Sequence, residues 1–216
     1  GNKLSYFEHP EASHSKAVTV RDVSALFESN LFLFLSSNCC KTLYFSPEAE
    51  QALPTTLATN GALAQRLRDF VGRGNRLVFN GAGPSTSTFL NRYYGTHLAA
   101  ASHPPSSGFA KHESFFFAGD HGSPSQVPEP FDALPAKLPR STPGLSAVRT
   151  SSMPDATAVV YNDFPREPTT SPAFVIHFCQ ATPRGPAAAR VAVDAHQCHA
   201  LAAQGRCTCG EIVYAG

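Results

Sequence analysis

Charge is scarce in this chain. Of its 216 residues only 15% are Asp, Glu, Lys or Arg, against roughly 25% in an average soluble domain. The 17 basic and 16 acidic side chains leave a formal charge of +1, and the basic ones are scattered. No basic block is available to neutralise a row of phosphates, which argues against nucleic acid or an acidic membrane surface as a partner. Long apolar runs are missing too: the longest, Leu31 to Leu35, falls far short of the ~20 residues a bilayer-spanning helix requires. The chain does not open on a charged start, an apolar centre and a small-residue cleavage site, so it reads as soluble or as cut from a larger precursor. Asn-x-Ser/Thr is absent, so N-glycosylation gives no support for secretion.

Ser, Thr, Pro and Ala fill the places that charge leaves empty. That balance suits an extracellular or assembled protein better than a cytosolic enzyme. The length allows one sizeable core and is short for two, so one domain over 1–216 is expected. The six cysteines point the same way. Cys39 and Cys40 are adjacent, Cys179 stands alone, and Cys198, Cys207 and Cys209 cluster near the end; an even number allows 15 pairings, and spacing does not choose among them. His196, Cys198, His199, Cys207 and Cys209 also lie within fourteen residues. Zinc sites, however, present C-x(2–4)-C pairs whose turn brings both sulfurs to one ion, and C-x-C does not supply that turn. Disulfides are therefore preferred over free thiols, and no metal or cofactor is expected.

The most informative segment runs from Ala62 to Leu98. Asn60 can cap a helix whose Leu63, Leu67, Phe70 and Val71 recur at i, i+4, i+7 and i+8. Gly72 and Gly74 end it, and Arg76 to Phe79 restarts as a strand, which implies a parallel crossover. After Gly83 and Pro84, Ser85 to Thr88 open a second helix carrying Phe89, Leu90, Tyr93 and Tyr94, closed by Gly95. This is an α/β unit.

Elsewhere the pattern is looser. Residues 1–16 read as an irregular lead-in. Val20, Val23, Leu26 and Phe27 follow helical spacing, with Thr19 or Asp22 as cap. Leu31 to Leu35 reads as a strand buried on both faces, and Lys41 to Phe45 as a second short strand or a loop flank. Residues 102–154 are a Pro-rich excursion of loops and short edge strands. Thr157 to Tyr161 and Ala173 to Phe178 read as an antiparallel hairpin, and Glu211 to Tyr214 as a last strand, reached after a Cys/His-rich insertion at 183–210.

Ligands in open parallel sheets bind at the carboxyl ends of strands, which makes Gly81, Gly83, Ser85 and Thr86 the candidate binding residues. Ser85, Thr86 and Ser87 carry hydroxyls there, but a serine nucleophile needs a positioned base, and no G-x-S-x-G turn exposes one. Capping of exposed amides is the plainer account. His177 lies inside an apolar run and reads as a buried, satisfied histidine more readily than as a base. His121 follows Asp120 in a glycine-flanked turn, where neighbours point apart. Glu48 and Glu50 are two apart and project to different faces, so they form no acid/base pair. Phe115 to Phe117 and Tyr93-Tyr94 suit either an aromatic sugar platform or packing under a long loop.

The run DFVGRGNRLVFNGAG followed by FLNRYYG resembles secreted proteins of the class I glutamine amidotransferase-like superfamily. Ala156 to Tyr161, Ala173 to Cys179 and Gly210 to Gly216 match its later strands. The resemblance implies a three-layer flavodoxin-like sheet with antiparallel C-terminal edge strands and long Pro-rich loops. It also implies a nucleophile turn at Asn80-Gly81-Ala82-Gly83-Pro84, where a thiol would be activated by the helix N-terminus and backbone amides. In this chain the nucleophile position falls on Ala82, which has nothing to attack with, and Pro84 removes one amide from any oxyanion hole.

The expectation is thus a non-enzymatic secreted structural or adhesive module at the cell surface or in a filament, contacting other protein chains or a glycan. One alternative is a hydrolase or amidotransferase relative using Ser85 or a cysteine, with His121 or His177 as base. The other is a small-molecule or glycan-binding domain built on the Gly81 to Thr86 turn.

Overall fold

Val18, Thr19 and Val20 are consecutive β-branched residues, and their burial alternates, with Val18 and Val20 buried and Thr19 half-exposed. That is the period of a strand. In the computed structural model they belong to β2 (Lys16–Val20) and not to a helix. The structure describes residues 4–8, 16–24, 35, 41–50, 52–53, 61–101, 108–117, 125–126, 134–139, 146–154, 157–163, 169–181, 190–192 and 207–216. The lead-in is likewise not wholly irregular: β1 (Leu4–Glu8) pairs antiparallel with β2. A partner strand has stabilised a segment whose own pattern was too short to show it.

β3 (Lys41–Phe45) follows, parallel to β2. The expected central strand at Leu31 to Leu35 is represented only by Leu35, which is helical and buried; the rest of that run lies outside the described residues. Lys41–Phe45 lies between β2 and β4 in the sheet. A four-residue helical turn, α1 (Pro47–Glu50), leads on. α2 (Gly61–Gly72) then buries Leu63, Leu67, Phe70 and Val71, as its spacing predicts. Gly74, at φ 84°, reverses the chain, and β4 (Arg76–Asn80) runs parallel to β3. α3 (Pro84–Tyr94) follows, and Gly95 in the left-handed region ends it.

The chain then crosses to the far side of the sheet. β5 (Phe109–Phe117) lies there with short strands β6 (Ser125–Gln126) and β7 (Lys137–Leu138) along it. β8 (Val148–Arg149) pairs with β10 (Thr170–Ser171) outside the main sheet, and Val148 also bridges to Ala100. β9 (Thr157–Asp163) and β11 (Ala173–Ala181) form the expected antiparallel pair. β12 (Arg190–Ala192) adds to the end of β11. β13 (Cys207–Ala215) closes the middle, antiparallel to β11 and parallel to β4. The order across the sheet is β1-β2-β3-β4-β13-β11-β9-β5-β6, a mixed sheet in an α/β protein.

The main core lies on the face that carries α2 and α3. Leu43, Phe45, Leu77, Phe79, Ile212 and Tyr214 from the sheet meet Leu67, Phe70, Phe89 and Leu90 from the helices. Aromatic rings link the layers: Phe45 stacks on Phe79 at 4.7 Å, and Phe79 meets Phe89 edge-on at 5.8 Å. Gly210 lets the helix approach, because a Cβ there would stand 1.8 Å from the Val71 carbonyl oxygen. A second cluster, with Phe109, Val160, Val175 and Val213, occupies the other face. No helix among the described residues is long and apolar enough to cross a membrane.

Candidate functional site

β4, its glycine exit and α3 build the turn that the sequence singles out. Gly81 sits at φ 69°, and a Cβ on it would lie 2.9 Å from the Pro47 ring. Only glycine satisfies both conditions. Ala82 is fully buried, and its N–H donates to the Ala215 carbonyl at 2.8 Å. The turn is therefore stitched to the end of β13.

The first amides of a helix lack partners within it, and the N-terminus carries partial positive charge. Gly83 at the start of α3 offers no side chain to cap them. Glu50 of α1 does so from across the chain. Its Oε1 accepts the Gly83 N–H at 3.0 Å, the Thr86 N–H at 2.9 Å and, at 3.4 Å, the Thr86 hydroxyl. The chain's own carboxylate thus occupies the N-terminus of α3. Glu48 points elsewhere, as expected: it is exposed and accepts a hydrogen bond from the Ser46 hydroxyl, which lowers its pKa. The sequence offered no signal for the role of Glu50, since contact between residues thirty-three and thirty-six positions apart depends on the fold.

Ser85 is half-exposed in the first turn of α3, while Thr86 and Ser87 are buried. His177 is far from them. It lies opposite Glu211, which lies opposite Arg76 at the start of β4. Four residues of strand, about 13 Å, separate that row from the β4 exit. His177 also belongs to the alternate set of β11 positions from Phe174, Ile176 and Phe178, which face the helices. The register therefore does not bring His177 to Ser85 as a base. His121 lies outside the described residues.

The row itself is a polar network, with His177 buried and Arg76 and Glu211 partly exposed. Arg76 Nε and Nη2 approach Glu211 Oε2 at 2.6 and 2.5 Å, and His177 Nε2 stands 3.6 Å from Oε1. Burial pushes the Glu211 carboxyl up, but the imidazole and the Arg76 guanidinium outweigh it and hold its pKa at about 2. Among the described residues His177 Nδ1 has no hydrogen-bond partner.

Tyr93 and Tyr94 pack around Phe89, and Tyr94 also meets Phe178 at 5.4 Å. They are part of the helix–sheet packing. The side chains of Phe115 to Phe117 lie outside the described residues, as do Cys39, Cys40 and Cys198. For Cys179, Cys207 and Cys209 only the backbone is described. Its register sets Cys179 directly opposite Cys209. Among the described residues no group of His, Cys, Asp and Glu gathers as a metal site; His196 and His199 lie outside them.

Two hollows flank the turn. A groove of about 670 Å³ lies over the ends of β2, β3 and β4, lined by Thr19, Arg21, Tyr44, Glu48 and Asn80. A smaller cavity of about 150 Å³ lies between the start of α3 and the end of β13, with Gly83, Ser87 and Tyr214 in its wall. No family model, curated protein or solved structure matches this chain.

Proposed function

We propose that the chain is a non-enzymatic structural or adhesive module of an extracellular or cell-surface assembly. The observation that carries this reading is the closed turn: Glu50 takes the Gly83 and Thr86 amides, Ala215 takes that of Ala82, and Pro84 has none to give. A reacting carbonyl would find neither a nucleophile at Ala82 nor an empty oxyanion hole. Membership of a non-catalytic branch of the class I glutamine amidotransferase-like superfamily, with a three-layer flavodoxin-like plan, is part of the same proposal. In that plan the edge strands and Pro-rich loops make the contacts with neighbouring chains, and the cysteines are paired. Two assays test it. Glutamine and ester hydrolysis should stay at the buffer rate, and denatured but unreduced protein should show few reactive thiols. Turnover abolished by Ser85→Ala, or six reactive thiols in the native protein, would overturn it.

A second reading, glycan binding, is favoured by the groove. Tyr44 offers a ring, and Thr19, Arg21, Glu48 and Asn80 offer donors and acceptors around it, the mixture a sugar requires. Binding to immobilised glycans that Tyr44→Ala abolishes would establish it.

A further inference from the structure

The 150 Å³ cavity stands apart from both readings. It lies at the carboxyl ends of β4 and β13, parallel neighbours in the middle of the sheet that part where β4 turns into α3. Open α/β sheets place ligands at such a parting. Ala101, Phe109 and Pro84 supply apolar wall, and Ser87, Ser146 and Tyr214 supply hydroxyl groups.

The polar groups are unevenly satisfied. Ser87 is only 6% exposed, and among the described residues its Oγ has no hydrogen-bond partner. It lies near the Tyr214 hydroxyl, close enough to pull that group's pKa down against its burial, yet the two do not meet in hydrogen-bond geometry. A buried hydroxyl left unmade costs about 1–3 kcal/mol. Its persistence beside a cavity points to a partner that arrives from outside.

Charge decides what that partner is. Among the described residues no ionised side chain lines the cavity. Burial, with the Glu50 carboxylate adding to it, pushes the Tyr214 hydroxyl up to about 12, so it stays a neutral donor. The same field opposes any second negative charge, and the amides that would have welcomed an anion already belong to Glu50. Size sets the remaining limit. A cavity of this order holds one benzene-sized molecule, about six heavy atoms.

We infer that this cavity binds a small uncharged molecule bearing a carbonyl oxygen, a short amide or ketone, with Ser87 and Tyr214 as donors and Ala101 and Phe109 around its apolar part. Propionamide and propionate form the matched probe pair, alike in size and different in charge. Titrated into the full chain and followed by the methyl resonances of Ala101 and Ala147, propionamide should give saturable shifts, and propionate at least tenfold weaker ones. Ser87→Ala should weaken propionamide about tenfold without lowering the melting temperature, because it deletes an unpartnered hydroxyl. If that variant does not fold, Tyr214→Phe serves in its place. Absence of saturable shifts, equal binding of propionate, or undiminished binding by the folded variant would overturn the inference.

Discussion

Glu50→Ala is the most instructive perturbation of this molecule. The substitution deletes one carboxylate and strands two backbone donors, the N–H groups of Gly83 and Thr86. Hydrogen bonds to charged groups contribute about 1.5–3 kcal/mol each in protected sites, while loss of a helix N-cap costs about 0.5–2 kcal/mol. Glu50 is only partly buried, and water can reach some of what it leaves, so the smaller scale governs one of the two bonds. The expected loss is about 2–4 kcal/mol. Glu50→Gln keeps a carbonyl acceptor and gives up only the charge facing the helix dipole, about 1 kcal/mol. Urea denaturation measures both, and the midpoint should fall with an unchanged slope. Formate offers a further control, because a helix N-terminus binds small anions. It should raise the stability of Glu50→Ala more than that of the parent, and chloride at equal ionic strength should not. If Glu50→Ala lies within about 0.5 kcal/mol of the parent, the scale of an unremarkable surface change, the cap is not a structural element and the reasoning fails.

Gly81→Ala must hold alanine in the left-handed region against the Pro47 ring, and a loss of about 1–3 kcal/mol is expected in the same urea assay. Gly210→Ala drives a methyl into the backbone of α2 and should cost more than about 3 kcal/mol, read as a collapsed thermal transition. The Glu211 carboxyl, held at about 2 from an ordinary 4.5, contributes stability that is complete above pH 4.5 and is lost as pH falls toward 2. The parent should therefore lose up to about 3 kcal/mol more than Glu211→Gln across that window, measured by urea midpoints at each pH. The register opposes Cys179 to Cys209, at a separation a disulfide spans. A non-reducing peptide map should link those two, and a map that pairs each elsewhere would contradict the strand register.

The segment from Gly61 to Gly95 was readable because each signal in it is local. Leu63, Leu67, Phe70 and Val71 repeat at helical spacing, Gly74 and Gly95 supply the left-handed turns, and Arg76 to Phe79 is a short apolar strand between them. The hairpin of β9 and β11 was legible for the same reason. The first strands were not. Val18, Thr19 and Val20 offer only one repeat of a period-2 pattern, and Val20 and Val23 mimic helical spacing across the end of β2. β1 owes its order to pairing with β2, a long-range cause with no local signature. The same limit hid the key contact of the site. The glycine exit of β4 around Ala82 could be read from the sequence, but Glu50 closing the turn could not. Nothing in Pro47 to Glu50 announces which distant amides a carboxylate will meet.

Amide hydrogen exchange at Gly83 and Thr86, in the parent and in Glu50→Ala, tests the closed turn most directly. Both amides should be protected in the parent and lose that protection together in the variant. The Ala82 amide, held by Ala215, should keep its own protection. Unchanged protection at Gly83 and Thr86 in the folded variant would mean that the carboxylate does not hold the turn.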